Sequence, residues 1–539
     1  MRVNVSFPAT ELHCDVLIVG GGINGAGIAR DLAGRGLRVL LCEQGDLAQH
    51  TSSCSTKLVH GGLRYLEHGE FALVRKALAE RELFLRSAPH ITRALRFVLP
   101  HVPELRPAWM LRAGLFLYDH LARRELLPAS RTLNLRTHPA GAPLHPDFEQ
   151  GFAYADGWVD DARLVLLCAL DAAERGARVL TRWHCAGARR AGPGWSATLQ
   201  AAEGASEAGV GGRRAGELRV QARALVNAAG PWAASFLHRQ LQGPLQVLRL
   251  VRGSHIVLPR LFEHDFAYVF QSTDRRVLFA IPYEDDFTLL GTTEVELPAS
   301  GEPSAAQASA AEVEYLCAQA GRYFRAPVRP AQVVWSYAGV RPLLDDGARE
   351  ATALTRDYRL ELEAPPAGAP LLNVWGGKIT TFRVLAQEAA ELLAPRLGAS
   401  GGPWTAGAWL PGGDFSAFIG AAARGEPAQA LRQFELALGG RWPDLPASLR
   451  RRWARLYGAR IELLLRPGPA LPQLGAEVAP GLFEAELRYL HRHEWAATAE
   501  DVLWRRTKLG LHMDAAARSR VAAWCAREWG RVEVSSVAC

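Results

Sequence analysis

The sequence predicts a discontinuous α/β domain, a β-rich α+β domain threaded through it, and a C-terminal helical domain. Three observations carry that prediction. Short apolar runs lead straight into glycines at 16–25, 225–230 and 372–378. Strand-like segments crowd 245–300, and beyond residue 413 the apolar spacing is mainly helical. At 539 residues the chain exceeds what one hydrophobic core organises, so two or three domains are expected.

The first glycine element fixes the most chemistry. Val16-Leu-Ile-Val19 is a short β-branched and aliphatic run, suited to a strand buried on both faces of a parallel sheet. Gly20, Gly22 and Gly25 follow as G-x-G-x-x-G, the apolar pattern runs on to Leu32, and Gly34 and Gly36 end the helix. A second strand, Arg38 to Cys42, stops at Glu43. Gly20 permits the tight turn, Gly22 lets the backbone approach a pyrophosphate, and Gly25 lets helix and strand pack closely. The helix start offers free N–H groups to phosphates, and Glu43, about 20 residues on, suits ribose hydroxyls. This is a Rossmann-like dinucleotide site; the motif alone does not choose FAD over NAD.

The chain then departs from the αβ repetition of a nicotinamide domain. Thr51-Ser-Ser-Cys-Ser-Thr-Lys57 is a hydroxyl-rich loop, followed by a His60-Gly-Gly62 turn suited to an extended ligand. A helix is expected over Phe71 to Leu85. Trp109 to Tyr118 is the most apolar part of the next region, either a buried helix or a surface that meets a membrane or partner. Gly157 to Arg163 caps a helix running from Leu164 to Arg175, and Arg178 to Thr181 reads as a strand. Glu203 to Glu217 reads as a hairpin tip or flexible insertion. Ala224 to Trp232 is the second strand-glycine element. Strands are expected at Ser254–Leu258, Val277–Ile281, Phe287–Thr292 and Val333–Pro342, and a helix over 305–325. Leu371 to Thr381 is the third strand-glycine element, with a helix to Leu393. Gly398 to Gly413 reads as a linker. Helices follow at Pro446–Tyr457 and at Thr498–Leu511, the latter N-capped by Thr498 with Glu500 and Asp501 in its first turn.

An open sheet binds its ligand outside the strand C-termini, so the three elements can converge on one cofactor. The hydroxyl-rich loop, Asn227-Ala-Ala-Gly230 and Gly376-Gly-Lys378 together argue for FAD. Val16 to Glu43 would hold its adenosine and pyrophosphate end, and the reactive end would lie near Arg341 and Lys378.

Composition is that of an ordinary globular protein, with a net charge of +7 and a pI near 9.1. That balance tolerates anionic substrates and anionic lipid. No basic run interleaved with aromatics suggests nucleic acid. The eight cysteines form no C-x-x-C pair, so neither a disulfide framework nor zinc is expected, and a reducing compartment fits. His491 and His493 lack a third ligand, and no metal is expected. The N-terminus shows no secretory pattern, and no apolar run approaches the ~20 residues of a membrane span. The only lysines are Lys57, Lys76, Lys378 and Lys508; two fall in the glycine-flanked motifs, where a compact point charge is useful.

The sequence resembles the FAD-dependent (aerobic, respiratory) glycerol-3-phosphate dehydrogenases, within the glycine-oxidase and D-amino-acid-oxidase superfamily. The resemblance rests on Gly20 to Gly27, Thr51-Ser-Ser53, Lys57 to Glu67, Gly157 to Arg163, Leu225 to Trp232 and Arg252 to His255. It continues through Ser336 to Pro342, Thr355 to Tyr358, Gly376 to Thr381, His493-Glu494-Trp495 and Leu503 to Lys508. It implies oxidation of sn-glycerol 3-phosphate to dihydroxyacetone phosphate, with FAD as first acceptor and a membrane quinone as final one. It implies an FAD-binding domain at 12–88, 151–240 and 331–397, a substrate domain at 89–150 and 241–330, a linker at 398–413 and a helical domain at 414–539.

Arg64, Tyr65, His255, Arg341, Arg356 and Lys378 are the implied substrate contacts. His255 serves as base, and Arg64 and Lys378 as stabilising cations. The implied cofactor contacts are Gly20, Gly22, Asn24, Gly25, Glu43, Thr51, Ser52, Ser53, Lys57, His60, Gly61, Gly62, Leu63, Ala229, Gly230, Trp232, Arg341, Gly377, Lys378, Thr380 and Thr381. A peripheral position on the cytoplasmic face of the inner membrane, against anionic lipid, and a homodimer are the expected settings. An oxidase that makes hydrogen peroxide, an amino-acid oxidase, and a flavin-binding protein without turnover are the alternatives.

Overall fold

The computed structural model describes residues 10–202, 205, 216–272, 274, 276–298, 301–344, 357–366 and 368–530. Arg356 and most of the glycine-rich stretch 203–217 lie outside them.

The chain opens with β1 (Thr10–Val19), α1 (Ile23–Gly34) and β2 (Val39–Glu43). It leaves for a second sheet through β3 (Leu58–Val59), α2 (Phe71–Ser87), β4 (Thr92–Pro100), α3 (Ala108–His120), β5 (Arg131–Asn134) and β6 (Gln150–Val159). It returns with α4 (Asp161–Glu174), β7 (Arg178–Thr181), β8 (Trp183–Ala191), β9 (Gly194–Ala201), β10 (Glu217–Asn227) and α5 (Ala233–Arg239). A second excursion adds β11 (Leu248–Pro259), β12 (Ala267–Gln271), β13 (Val277–Tyr283), β14 (Phe287–Gly291), β15 (Val295–Glu296), α6 (Ala310–Gly321) and β16 (Trp335–Leu344). β17 (Arg359–Glu363), β18 (Leu371–Trp375) and α7 (Phe382–Leu393) finish the first sheet.

The first sheet runs β17-β18-β10-β1-β2-β7. The strands from β18 to β7 pair in parallel, so the three strand-glycine elements stand side by side with their glycines at one edge. Val16, Leu17 and Ile18 are wholly buried, as a two-faced parallel strand requires. One face packs on α1, α4 and α7, the other on Trp183, Trp195 and Phe236. The second sheet runs β15-β11-β14-β13-β12-β4-β6-β3, with β16 beside β11 and β5 beside β6. β6 and β16 therefore belong to this sheet, although the sequence boundaries assigned both to the cofactor domain.

Other expectations change in detail. β4, β6, β8 and β9 are strands that the sequence reading did not single out. The helix expected over 305–325 is confined to α6, fixed at its start by a capping box between Ser309 and Glu312. α3 is a surface helix, not a buried one: Trp109 and Phe116 are 70% and 59% exposed, and only Leu115 and Tyr118 are buried. The 398–413 stretch is no free linker, because Trp404 donates to the Asp31 carbonyl at 3.1 Å and lies against Arg30 and Arg175.

The C-terminal domain has its own core around Phe415, Phe434, Trp442 and Trp453. Thr498 Oγ1 accepts the Asp501 N–H at 3.2 Å, as expected of an N-cap. The segment then makes only a π-helical turn, Asp501–Arg506, because Arg505, Arg506 and Lys508 turn inward to carboxylates of the first domain. No helix among the described residues is long and apolar enough to cross a membrane.

Candidate active site

Two cavities meet at the glycine edge of the first sheet. The smaller, about 270 Å³, lies over β1, β2 and β10 and is lined by Gly20, Gly22, Asn24, Glu43, Ala229, Gly230 and Trp232. The larger, about 720 Å³, is lined by His60, Gly62, Leu63, Arg64, Tyr65, Arg341, Lys378 and Thr380. Ile23, Thr51, Ser52, Pro342, Gly376 and Gly377 line both, so the two form one continuous groove.

The small cavity is shaped by absent side chains. Gly20 holds φ +114°, and a Cβ there would sit 2.3 Å from the Ala228 carbonyl oxygen. A Cβ on Gly25 would lie 1.9 Å from the Gly20 carbonyl oxygen, which is the close strand–helix packing expected of it. The N-cap residue Gly22 has no side chain, so apart from the Ile23 N–H the start of α1 is open to an anion. Glu43 lies across the turn, its carboxylate accepting N–H bonds from Gly21 at 2.6 Å and Gly45 at 2.8 Å. Burial pushes the Glu43 carboxyl above its usual range against those bonds. Ser52 Oγ accepts the Ile23 N–H at 3.0 Å, tying the hydroxyl-rich loop to the helix start. Asn24 donates to the Gly376 carbonyl at 3.0 Å, and Asn227 to Asn373 Oδ1 at 2.9 Å, joining the distant elements. An uncapped helix start, a glycine turn without Cβ atoms and an acid at the next strand end fit a dinucleotide. The long groove beyond them fits the ring system of FAD.

The larger cavity is roofed by one face of the second sheet. Because side chains alternate along a strand, Val269 and Gln271, Val277 and Phe279, and Gly339, Arg341 and Leu343 all point the same way. Arg341 gains its place from Gly253 on the neighbouring strand: a Cβ there would be 2.7 Å from Arg341 Nη2. Its guanidinium lies 3.4 Å from Thr292 Oγ1 and 3.7 Å from Glu294 Oε1. Across the cavity, Lys378 Nζ stands 3.8 Å from the centre of the Tyr65 ring. The His60 N–H donates to Thr380 Oγ1 at 3.3 Å.

The structure thus brings Arg64, Tyr65, Arg341 and Lys378 to one cavity, but five expected cofactor contacts line neither cavity: Gly25, packed against the Gly20 carbonyl, and four more. Ser53 turns to the His50 carbonyl. Gly61 is enclosed by Leu78 and Tyr118. Thr381 is 1% exposed. Lys57 is 1% exposed and pairs with Asp161 at 2.8 Å; burial opposes its charge, but Asp161 overrides burial and holds the ammonium above its usual range.

His255 is also displaced from its expected place. It sits inside β11, 1% exposed, stacked on Tyr337 with ring centres 4.9 Å apart. Gly291 leaves it room, since a Cβ there would lie 2.0 Å from His255 Cδ2. Its Nε2 is 2.9 Å from Thr56 Oγ1, and Thr56 does line the cavity. Nδ1 has no hydrogen-bond partner among the described residues. Burial, then the charges of Arg341 and Lys57, push the imidazole well below its usual range, so it is neutral. Thr56 belongs to the expected hydroxyl-rich loop, whereas Thr292 and Glu294 are additional; the polar run Thr292-Thr-Glu294 directly after an apolar strand is their signal in the sequence. In the His491–His493 pair, His491 Nδ1 bonds the Ala496 carbonyl oxygen at 2.7 Å and its ring stacks on Trp529.

Comparison with known proteins agrees with this geometry. Residues 15–383 match the model of the FAD dependent oxidoreductase family, and residues 404–533 that of the C-terminal domain of alpha-glycerophosphate oxidase. The chain is 49% identical over 517 residues to a glycerol-3-phosphate dehydrogenase of Pseudomonas aeruginosa, covering 96% of this chain and 95% of that one. It is 47% identical over 513 residues to a D-erythritol 1-phosphate dehydrogenase of Brucella abortus, covering 95% and 97%. Its fold is similar to the crystal structure of a glycerol-3-phosphate dehydrogenase from Bacillus halodurans complexed with FAD. That similarity has a TM-score of 0.71 at 25% identity and covers 97% of this chain and 92% of that one.

Proposed function

This chain belongs to the FAD-dependent oxidoreductase family, and from that premise we propose that it oxidises sn-glycerol 3-phosphate to dihydroxyacetone phosphate. The observation that carries the reading is the gathering of Arg64, Arg341 and Lys378 around one cavity at the reactive end of the FAD groove. A phosphate dianion calls for guanidinium forks, and Arg341 offers one from the cavity roof. FAD, when bound, supplies the two-electron acceptor for the hydride on the substrate's C2.

The alcohol proton leaves by a different route. Thr56 takes it on Oγ1 as it gives its own proton to Nε2 of neutral His255, 2.9 Å away. Arg341 depresses the basicity of His255, and a bound phosphate offsets that charge, so the imidazole becomes a better base once substrate is in place. Lys378, beside Tyr65, stabilises negative charge as the carbonyl forms.

The final acceptor in this reading is a membrane quinone. Trp109, Met110 and Leu117 of α3 line the mouth of the same cavity and are 70%, 45% and 38% exposed, which suits a lipid-borne acceptor and peripheral attachment. Anaerobic addition of glycerol 3-phosphate to the holoprotein should bleach its flavin spectrum; an unbleached spectrum rejects the reading. Peroxide yield set against reduction of a quinone analogue separates quinone from oxygen, and glycine or sarcosine tests the amino-acid oxidase alternative. Erythritol 1-phosphate belongs in the same assay. Two relatives of nearly equal identity carry the two substrate names, and the larger cavity is roomy.

A further inference from the structure

Among its contacts with the first domain, the C-terminal domain grips the loop of residues 44–50, and that loop is part of the cofactor bed. Gln44, Ala48, Gln49 and His50 line the small cavity. The loop is held to the glycine turn by Gly45 N–H to Glu43 Oε1 at 2.8 Å and by Ala48 N–H to the Gly21 carbonyl at 3.2 Å. At its centre Asp46 is fully buried and faces away from the groove. It accepts from Arg505 Nε at 2.6 Å and from Arg506 Nη1 and Nη2 at 2.6 and 2.7 Å. Both arginines belong to the π-helical turn.

That turn is itself anchored. Asp501 bonds Arg505 and takes Arg182 Nη2 at 2.7 Å, while the Arg182 N–H donates to the Gly45 carbonyl at 2.9 Å. Arg506 also donates to the Glu494 carbonyl at 2.7 Å. A carboxylate buried in this way demands its partners, because leaving it unpaired in low dielectric is strongly unfavourable. Glu43 and Gly21, the two groups nearest the expected ribose and pyrophosphate, are bonded to the loop that Asp46 pins.

We propose that Arg505 and Arg506 are positioning residues for FAD: through Asp46 they hold the loop that shapes the adenosine end, and the C-terminal domain thereby governs cofactor retention. A second tie between the same two domains provides the control. Arg163, wholly buried at the start of α4, pairs with Glu494 at 2.5 and 3.0 Å and does not touch the loop.

The test compares R506Q, D46N and R163Q as full-length proteins, with the FAD dissociation constant read by titration of stripped protein. R506Q and D46N should weaken FAD binding roughly tenfold or more, within the usual span of coupling between two sites. With FAD in excess their kcat and KM should stay within about threefold of wild type. R506K, which keeps the charge, should recover part of the affinity. Equal weakening in R163Q, or unchanged FAD affinity in R506Q and D46N, would overturn the proposal by reducing the cluster to ordinary domain docking. Because a variant with a buried charge disturbed can fail to fold, the wild-type chain supplies an independent reading. Coupling is reciprocal, so added FAD should slow backbone hydrogen exchange at 501–508. Exchange there that ignores FAD would also overturn it.

Discussion

Replacing Arg341 with alanine should raise KM for glycerol 3-phosphate steeply, and the size of the effect follows from what surrounds the guanidinium. Arg341 is 28% exposed and its neighbour Glu294 11%, so both sit where the local dielectric is far below that of water. Two unit charges ~4 Å apart attract by about 4 kcal/mol at an effective dielectric near 20. Losing one partner of such a charged contact typically costs about 2–4 kcal/mol. That range converts to a fall in kcat/KM of roughly 30- to 1000-fold. The carboxylate adds to the loss. Without the guanidinium 3.7 Å away, Glu294 faces an incoming dianion with like charge. R341A/E294Q should therefore recover part of what R341A loses. Gly253→Ala should mimic R341A in weaker form, because its Cβ would fall 2.7 Å from Arg341 Nη2 and push the fork aside. Steady-state kinetics on the four proteins decide the matter. A KM for R341A equal to wild type, or an E294Q change that adds nothing back, refutes the phosphate role of Arg341.

Three further outcomes are expected. T56V keeps the shape of the cavity wall but removes the hydroxyl between substrate and His255; it should slow flavin reduction by about 10²-fold or more, as should H255A, with little change in substrate affinity. Stopped-flow reduction at wild-type speed in T56V would exclude the relay. Gly25→Ala, whose Cβ would lie 1.9 Å from the Gly20 carbonyl oxygen, should yield protein purified with little bound flavin; a normal 450-nm-region spectrum per chain would contradict that. His90 is pushed down to about 3 by burial and by Arg163 and Arg460, whereas the unfolded chain protonates near 6.5. Its contribution to stability is whole above that unfolded value and is lost as pH falls toward the folded one, with about 2 kcal/mol gone by pH 5. H90N should flatten the pH dependence of urea unfolding between pH 7 and 5, and an unaltered slope would remove His90 as the cause.

The parts of the molecule legible in the sequence are those where function constrains neighbours in the chain. Gly20, Gly22, Gly25 and Glu43 lie within one βαβ unit, and their spacing alone predicts the tight turn, the close helix–strand packing and the acid at the next strand end. The three strand-glycine elements were legible too, and the sheet order β18-β10-β1 shows why they recur: each ends at the same edge. What escaped notice depends on partners far away. β6 carries Gly151, Asp156 and Gly157, poor strand formers, and becomes a strand because β4, β5 and β3 flank it. Lys57 sits in a motif that suggests a ligand, yet its partner Asp161 comes 104 positions later. His255 lies inside β11 behind Thr56 and not on the cavity wall, a separation that depends on a contact between residues 199 positions apart. The inward turn of Arg505 and Arg506 has no local signal, since arginines on a helix are ordinarily solvated.

The same sheet order has a consequence for how the protein is born. The flavin bed is made of β1, β10 and β18, and Val19 leaves the ribosome about 350 residues before Trp375 does. At translation rates of roughly 5–20 residues per second that gap is about 20 to 70 seconds. β2 and β10 can join β1 well before then, but the outer edge of β10 waits unpaired until β18 is made, and an apolar strand in that state is the sort of segment chaperones shield. Flavin loading should therefore come late in biosynthesis, once β18 has completed the bed. Arrested nascent chains that stop short of residue 371 should emerge colourless however much FAD surrounds them.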